Sequence, residues 1–292
     1  MQPGFFLNIL HPHHLFIRRR IFPLHLMPMT MPATALRKVN VTRYVTPLRE
    51  GGSLPAIAEA DDGFLYVLKF SGAGQGVKAL VAEIIGGEMA RVLGLKVPEM
   101  VTAQLDEAFG RTEPDEEIQD LLKASVGLNI GIHYLSGAIS FDPVVNSIDE
   151  VLASKIVWLD ALLMNVDRTA RNTNMLMWKN ELWLIDYGAA LYFHHTWSNP
   201  LLQAQKPFAQ IKDHVLLPKA TQLTAVHTLL KNILSEQVIS NIAGMIPDEF
   251  LNWDDTLTPD QLRAGYKTFL LSRLEHADKF IKEATDAKET VV

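Results

Sequence analysis

Residues 165–188, N-V-D-R-T-A-R-N-T-N-M-L-M-W-K-N-E-L-W-L-I-D-Y-G, constrain the fold of this chain more than any other stretch. Two apolar-rich runs, 174–178 and 181–185, flank the polar pair Lys179-Asn180. Runs of this length around a two-residue polar turn predict a β-hairpin. The hairpin leaves Asp167 and Asn172 in the loop before it and Asp186 directly after it. Its ends lie side by side, so two carboxylates and an amide converge on one side of a sheet. Oxygen donors of this kind suit Mg²⁺, which keeps several waters and takes one or two carboxylates together with phosphate oxygens.

The rest of the chain sets the frame. Its 292 residues are 48% hydrophobic and 21% charged, an ordinary globular composition long enough for two lobes. A net charge of −6 argues against a nucleic-acid-binding surface, because phosphate neutralisation dominates such binding. There is no cysteine, which excludes disulfides, thiolate zinc sites and thiol catalysis. That fits an intracellular setting, and the expected location is cytoplasmic. No apolar run reaches the roughly 18–20 residues of a transmembrane helix. The first acidic residue is Glu50, and the opening holds His11, His13 and His14, the run Arg18-Arg19-Arg20 and five prolines. Residues 1–35 are read as a disordered extension, or as sequence preceding a true start at Met27, Met29 or Met31.

Folded pattern begins near Leu36. A first strand is expected around Val39 to Val45, then a glycine-rich turn at Gly51-Gly52-Ser53. Strands at 56–60 and 64–70 are joined by Asp61-Asp62-Gly63, and Lys69 sits near the end of the second. Apolar spacing predicts a helix over 77–95, closed by Gly94 and followed by Pro98. Both Glu83 and Glu88 fall in it; Glu88 lies nearer the apolar stripe. Another strand is expected at 98–105, a short helix at 116–123, and an apolar strand-like connector at 126–135. The stretch 149–164 is a strong helix leading into the hairpin region. Beyond Gly188, His194 and His195 read as neighbours on an extended segment, pointing to opposite faces in a structural role. Helices follow at 223–234, 235–245 and 258–284, the last with Thr258 as N-cap and Pro259 in its first turn.

These parts match what phosphoryl transfer requires: phosphates held, charge neutralised and an acceptor hydroxyl oriented. Lys69 is the candidate for the α/β-phosphates, and Gly51, Gly52 and Ser53 for a backbone cover over them. Asp167 would orient the hydroxyl, and Asn172 and Asp186 would hold Mg²⁺. Arg168 and Arg171 flank Asp167, either to meet phosphate or an acidic substrate or as surface arginines.

Four quoted runs carry a family resemblance: G-G-S-L-P-A-I…Y-V-L-K-F, V-A-E-I-I-G-G-E-M-A-R-V-L-G-L-K-V-P-E, L-D-A-L-L-M-N-V-D-R-T-A-R-N-T-N-M-L and L-W-L-I-D-Y-G-A-A-L. Together they resemble the HipA-like kinases over about residues 36–280. The resemblance implies an α+β, two-lobed protein-kinase-like fold: an N-lobe of antiparallel sheet plus helix at 36–135 and a mainly helical C-lobe at 136–292. It also implies ATP and Mg²⁺ as cofactors, Asp167 with Lys69 as the catalytic pair, and Asn172 and Asp186 as metal ligands. It favours Glu83 over Glu88 as the partner of Lys69. The chain departs from better-known kinase loops at Val166, which precedes the aspartate, and at Thr169, where HipA itself has histidine. The expected reaction is transfer to a protein Ser/Thr hydroxyl. The alternatives are a small-molecule or lipid-headgroup kinase, or a non-catalytic nucleotide-binding module of a toxin-antitoxin-like system.

Overall fold

The computed structural model describes residues 35–48, 54–111 and 113–290. The expected N-terminal extension and the turn Gly51-Gly52-Ser53 lie outside the described residues.

Five strands make a closed barrel in the order β1-β2-β3-β5-β4: β1 Arg37–Pro47, β2 Ala56–Ala60, β3 Leu65–Lys69, β4 Met100–Leu105 and β5 Gly127–His133. Four of the pairings are antiparallel, and β1 closes on β4 in parallel, with Val39 opposite Ala103. The expected antiparallel sheet is therefore a barrel with one parallel seam. Closure leaves no exposed edge. Side-chain size makes it possible: Ala56, Ala58 and Ala60 fill the inward face of β2 while Tyr66 and Leu68 come from β3. A Cβ on Gly131 of β5 would sit 2.9 Å from Val101 and 3.3 Å from Tyr66, so the interior admits no side chain there. The expected connector at 126–135 is mostly this barrel strand, and the chain leaves the barrel only after His133.

Helix α1, Gly76–Val92, packs into a second and larger core shared with the C-terminal helices. α2, Glu116–Ala124, instead contributes Ile118 and Leu122 to the barrel interior. After β6, Ile139–Ser140, comes α3, Glu150–Leu163, started by an Asp149 carboxylate that accepts the Val151 and Leu152 amides. That is the orphan-donor satisfaction expected of an N-cap. The hairpin forms as expected from β7, Met175–Trp178, and β8, Glu181–Leu184, with β6 extending it to three strands. Lys179 and Asn180 have φ of 50° and 62°, the left-handed pair that a two-residue hairpin turn demands.

The remaining helices are α4 Pro200–Ala204, α5 Leu223–Ile233, α6 Glu236–Gly244, α7 Pro259–Glu275 and α8 Ala277–Thr290. The single helix expected over 258–284 is thus broken at His276. The break turns Phe280 and Ala284 into the core, where α8 packs on α3 and α5. Thr258 and Gln261 form a reciprocal capping box at the start of α7. His194 and His195 end a short 3-10 turn, Tyr192–His195, rather than lying on extended chain. His194 is buried, its Nδ1 3.2 Å from the Tyr266 hydroxyl, and burial pulls its pKa down to about 3. Among the described residues no helix is long and apolar enough to cross a membrane.

Candidate active site

A cavity of 760 Å³ opens between the barrel and the hairpin, within the range of small-molecule sites. Val67 and Ile132 line it from the barrel, Met175 and Ile185 from the hairpin, and Leu135 from the connecting chain. The Leu135 amide has no hydrogen-bond partner among the described residues. His133 lines the same wall, its ring 5.3 Å from that of Phe64. Leu48 and Pro55 also line the cavity and are bonded to each other, Leu48 N–H to Pro55 carbonyl at 2.7 Å.

Three of the expected residues meet at the wall of this cavity, two of them, Lys69 and Asp186, lining it. Lys69 leaves the end of β3, and its ammonium donates to Glu83 of α1 and, at 2.6 Å, to Oδ1 of Asp186 after β8. Glu83 is 2% exposed; its Oε1 also accepts the amides of Tyr187 and Gly188, at 3.0 and 3.1 Å. One helix carboxylate thus ties the strand lysine to the D-Y-G turn. Glu88 faces elsewhere and pairs with Arg91. Burial opposes the charge on Lys69, but Glu83 and Asp186 outweigh it and raise the ammonium's pKa. Burial likewise opposes ionisation of Asp186, and Lys69 overrides it, holding the carboxyl at about 2. Burial pushes Glu83 up, Lys69 pulls it down and Asp186 adds to the rise. Two carboxylates share one ammonium, so the ionised cluster carries excess negative charge.

The tight contact between α1 and the D-Y-G turn depends on a glycine. A Cβ on Gly86 would lie 2.4–2.6 Å from the Tyr187 side chain. Glycine inside a helix costs about 1 kcal/mol relative to alanine. Here it admits an aromatic ring against the backbone.

Asp167 and Asn172 stand on the loop between α3 and β7, and Asn172 lines the cavity together with Lys69 and Asp186. Asn172 Nδ2 donates to Asp167 Oδ2 at 2.7 Å. Of the two flanking arginines, Arg171 is exposed and Arg168 is buried at 1% exposure. Arg168 therefore does not face the cavity to meet phosphate or substrate. Its Nε donates to Asp160 Oδ2 at 2.5 Å, its Nη1 to the carbonyls of Asn174 and Ile185, and its guanidinium lies 5.0 Å from the Tyr187 ring. The expectation placed it beside Asp167 in sequence; the side chain turns inward because a buried carboxylate waits there.

That carboxylate is a feature the sequence reading missed. Asp160 accepts Asn165 Nδ2 on Oδ1 at 3.0 Å, and Arg168 and His214 on Oδ2. The Leu216 amide donates to His214 Nδ1, so Nε2 carries the proton given to Asp160 at 2.9 Å. Burial opposes ionisation of Asp160, and Arg168 and His214 overcome it, holding its pKa at about 2. Asn165 Oδ1 in turn accepts the Asp167 amide at 3.2 Å. A carboxylate inside the apolar run W-L-D-A-L-L is a usable signal, since such a group requires a partner. Nothing local points to His214.

The HipA-like kinase family pattern matches residues 41–282, so the chain belongs to the HipA-like kinase family. Among solved structures, the crystal structure of a Helicobacter pylori proinflammatory kinase, CtkA, is similar with a TM-score of 0.48 and 14% sequence identity, covering 87% of this chain and 99% of that one. No curated protein matches the chain.

Proposed function

We propose that this HipA-like kinase is an ATP- and Mg²⁺-dependent phosphotransferase whose acceptor is a protein Ser or Thr hydroxyl. The observation that carries the reading is the convergence of Lys69, Glu83 and Asp186 at the wall of a cavity that Asn172 also lines. These residues come from a barrel strand, a helix, the end of the hairpin and the loop before it. Phosphoryl transfer needs just such a lysine–carboxylate pair beside a metal-holding aspartate.

The proposed division of the molecule is two lobes, 36–135 and 136–292, with the nucleotide between them. The base would lie among Val67, Ile132, Met175 and Ile185, within reach of the unpartnered Leu135 amide. Lys69 would hold the α/β-phosphates, and the turn at Gly51, Gly52 and Ser53 would cover them. No group of three or more Asp, Glu or His that could hold a metal occurs among the described residues. Mg²⁺ does not need one, since it is commonly held by one or two protein oxygens plus phosphates and water. The Asp186 carboxylate and the Asn172 Oδ1, which carries no donor among the described residues, fit that requirement. Once bound, the ion would neutralise phosphate charge and the excess charge of the carboxylate pair. Asp167 would accept the acceptor hydroxyl's proton as its oxygen bonds to the γ-phosphorus and the bond to ADP breaks.

Incubation with γ-labelled ATP, Mg²⁺ and cell extract tests this. The expected result is label on protein Ser or Thr, absent with Asp167→Asn. Label found only in a small-molecule product would overturn the acceptor assignment. No Mg²⁺-dependent transfer to any acceptor, the protein itself included, would overturn the phosphotransferase reading.

A further inference from the structure

Two amides, not one, hold the Asp167 carboxylate. Asn172 Nδ2 reaches Oδ2 at 2.7 Å, and Asn174 Nδ2 reaches the same oxygen at 3.2 Å. Oδ1 accepts no hydrogen bond among the described residues. Asn174 is 7% exposed, lines the cavity and has φ of 48°. Its carbonyl accepts the Ile185 amide at 3.0 Å and the Arg168 guanidinium. It thus joins the loop bearing Asp167 to the strand that delivers Asp186. The spacing D-x-x-x-x-N accounts for Asn172 and gives no role to Asn174.

We propose that Asn174 is a positioning residue for the reaction: its amide pins Oδ2 of Asp167, so that Oδ1 alone meets the acceptor hydroxyl. This rests on the phosphotransferase reading above. It separates two duties that Asn172 would otherwise combine. Asn172 donates to Asp167 and offers its Oδ1 to the metal, whereas Asn174 acts on Asp167 only. A carboxylate held on one oxygen by two donors loses the freedom to swing, and orientation of this kind is worth a large factor in rate.

The competing explanation is that asparagine is present only because the backbone is left-handed, a conformation that Asn and Gly adopt more readily than other residues. Asn174→Gly separates the two, since glycine keeps the backbone comfortable and removes the amide. The measurements are turnover of γ-labelled ATP to water or to the protein itself, the Mg²⁺ concentration for half-maximal rate, ATP affinity and the melting temperature. For Asn174→Gly, turnover is expected to fall on the order of 10- to 100-fold. Its Mg²⁺ requirement, ATP affinity and melting temperature should stay at the wild-type values. Asn172→Ala should instead raise the Mg²⁺ requirement. Turnover of Asn174→Gly within about two-fold of wild type would overturn the proposal, leaving only the backbone role. A shift in Mg²⁺ requirement equal to that of Asn172→Ala would also overturn it, because the duties would not be separate. A wild-type protein that binds Mg-ATP without turning it over would instead remove the phosphotransferase reading beneath both.

Discussion

Asp160 and Asp186 each meet a cation, the buried Arg168 in one case and the partly buried Lys69 in the other, and the two pairs are finished differently. Asp160 has both oxygens occupied, by Asn165, Arg168 and His214, and its side chain is 1% exposed. One guanidinium balances one carboxylate, and the neutral His214 adds a hydrogen bond without adding charge. Asp186 shares Lys69 with Glu83, and its side chain is 40% exposed, toward the cavity. The first cluster is closed and charge-balanced. The second is open and over-supplied with negative charge. A buried carboxylate with both oxygens occupied fixes geometry, with Arg168 Nη2 alone in that cluster left without a partner among the described residues; an unbalanced cluster at a cavity wall has capacity left for a ligand. The closed cluster lies beneath the loop that bears Asp167, and the open one beside it. Rigidity and reactivity are thus assigned to separate carboxylates.

That contrast is exposed to measurement, most strongly on the closed side. Asp160→Asn leaves Arg168 buried without its counter-charge, and breaking such a pair costs about 3–5 kcal/mol. Urea unfolding of the variant should show that loss; a loss below about 1 kcal/mol would mean that the network is not closed. The second effect is on pH. The folded-state pKa of Asp160 lies below its unfolded value, so its contribution is present above pH about 4 and is lost as pH falls toward about 2. The stability involved is about 2 kcal/mol. A carboxyl-carbon NMR titration should place the Asp160 midpoint near 2. A midpoint at the ordinary aspartate value would break the distinction. The smallest stability effect belongs to the open side. Asp186→Asn should change unfolding stability by less than about 1 kcal/mol, because the site is partly exposed and over-charged. The same variant should weaken Mg-ATP binding by at least about ten-fold in calorimetry, since metal and phosphate lose a ligand. If the stability losses of Asp160→Asn and Asp186→Asn were equal, the two clusters would be the same kind of structure.

The parts of this picture that the sequence carried are the local ones. The hairpin and its two-residue turn, the Thr258 cap of α7 and the strand–turn–strand around Gly63 follow from neighbouring residues. So does the order of Lys69, Asp167, Asn172 and Asp186. Choosing Glu83 over Glu88 took the family resemblance, because both lie in one helix and its apolar stripe points to the wrong one. Long-range features were not legible. The parallel β1–β4 seam joins strands whose pairing depends on barrel closure, and no local pattern encodes that. Arg168 read as a surface or ligand-facing residue because Asp160 and His214 reach it from opposite directions in the chain. The break at His276 was hidden by helical spacing that continues through it; packing of α8 on α3 and α5 decides it.

The account turns on whether Asp167 acts in transfer rather than in binding. A single-turnover experiment with Mg-ATP, beside calorimetric binding of the same nucleotide, addresses this for wild type and Asp167→Asn. The account predicts that the variant binds Mg-ATP as the wild type does and consumes the γ-phosphate about 10²–10⁴ times more slowly. Equal rates of γ-phosphate loss in the two proteins, with binding intact, would contradict it.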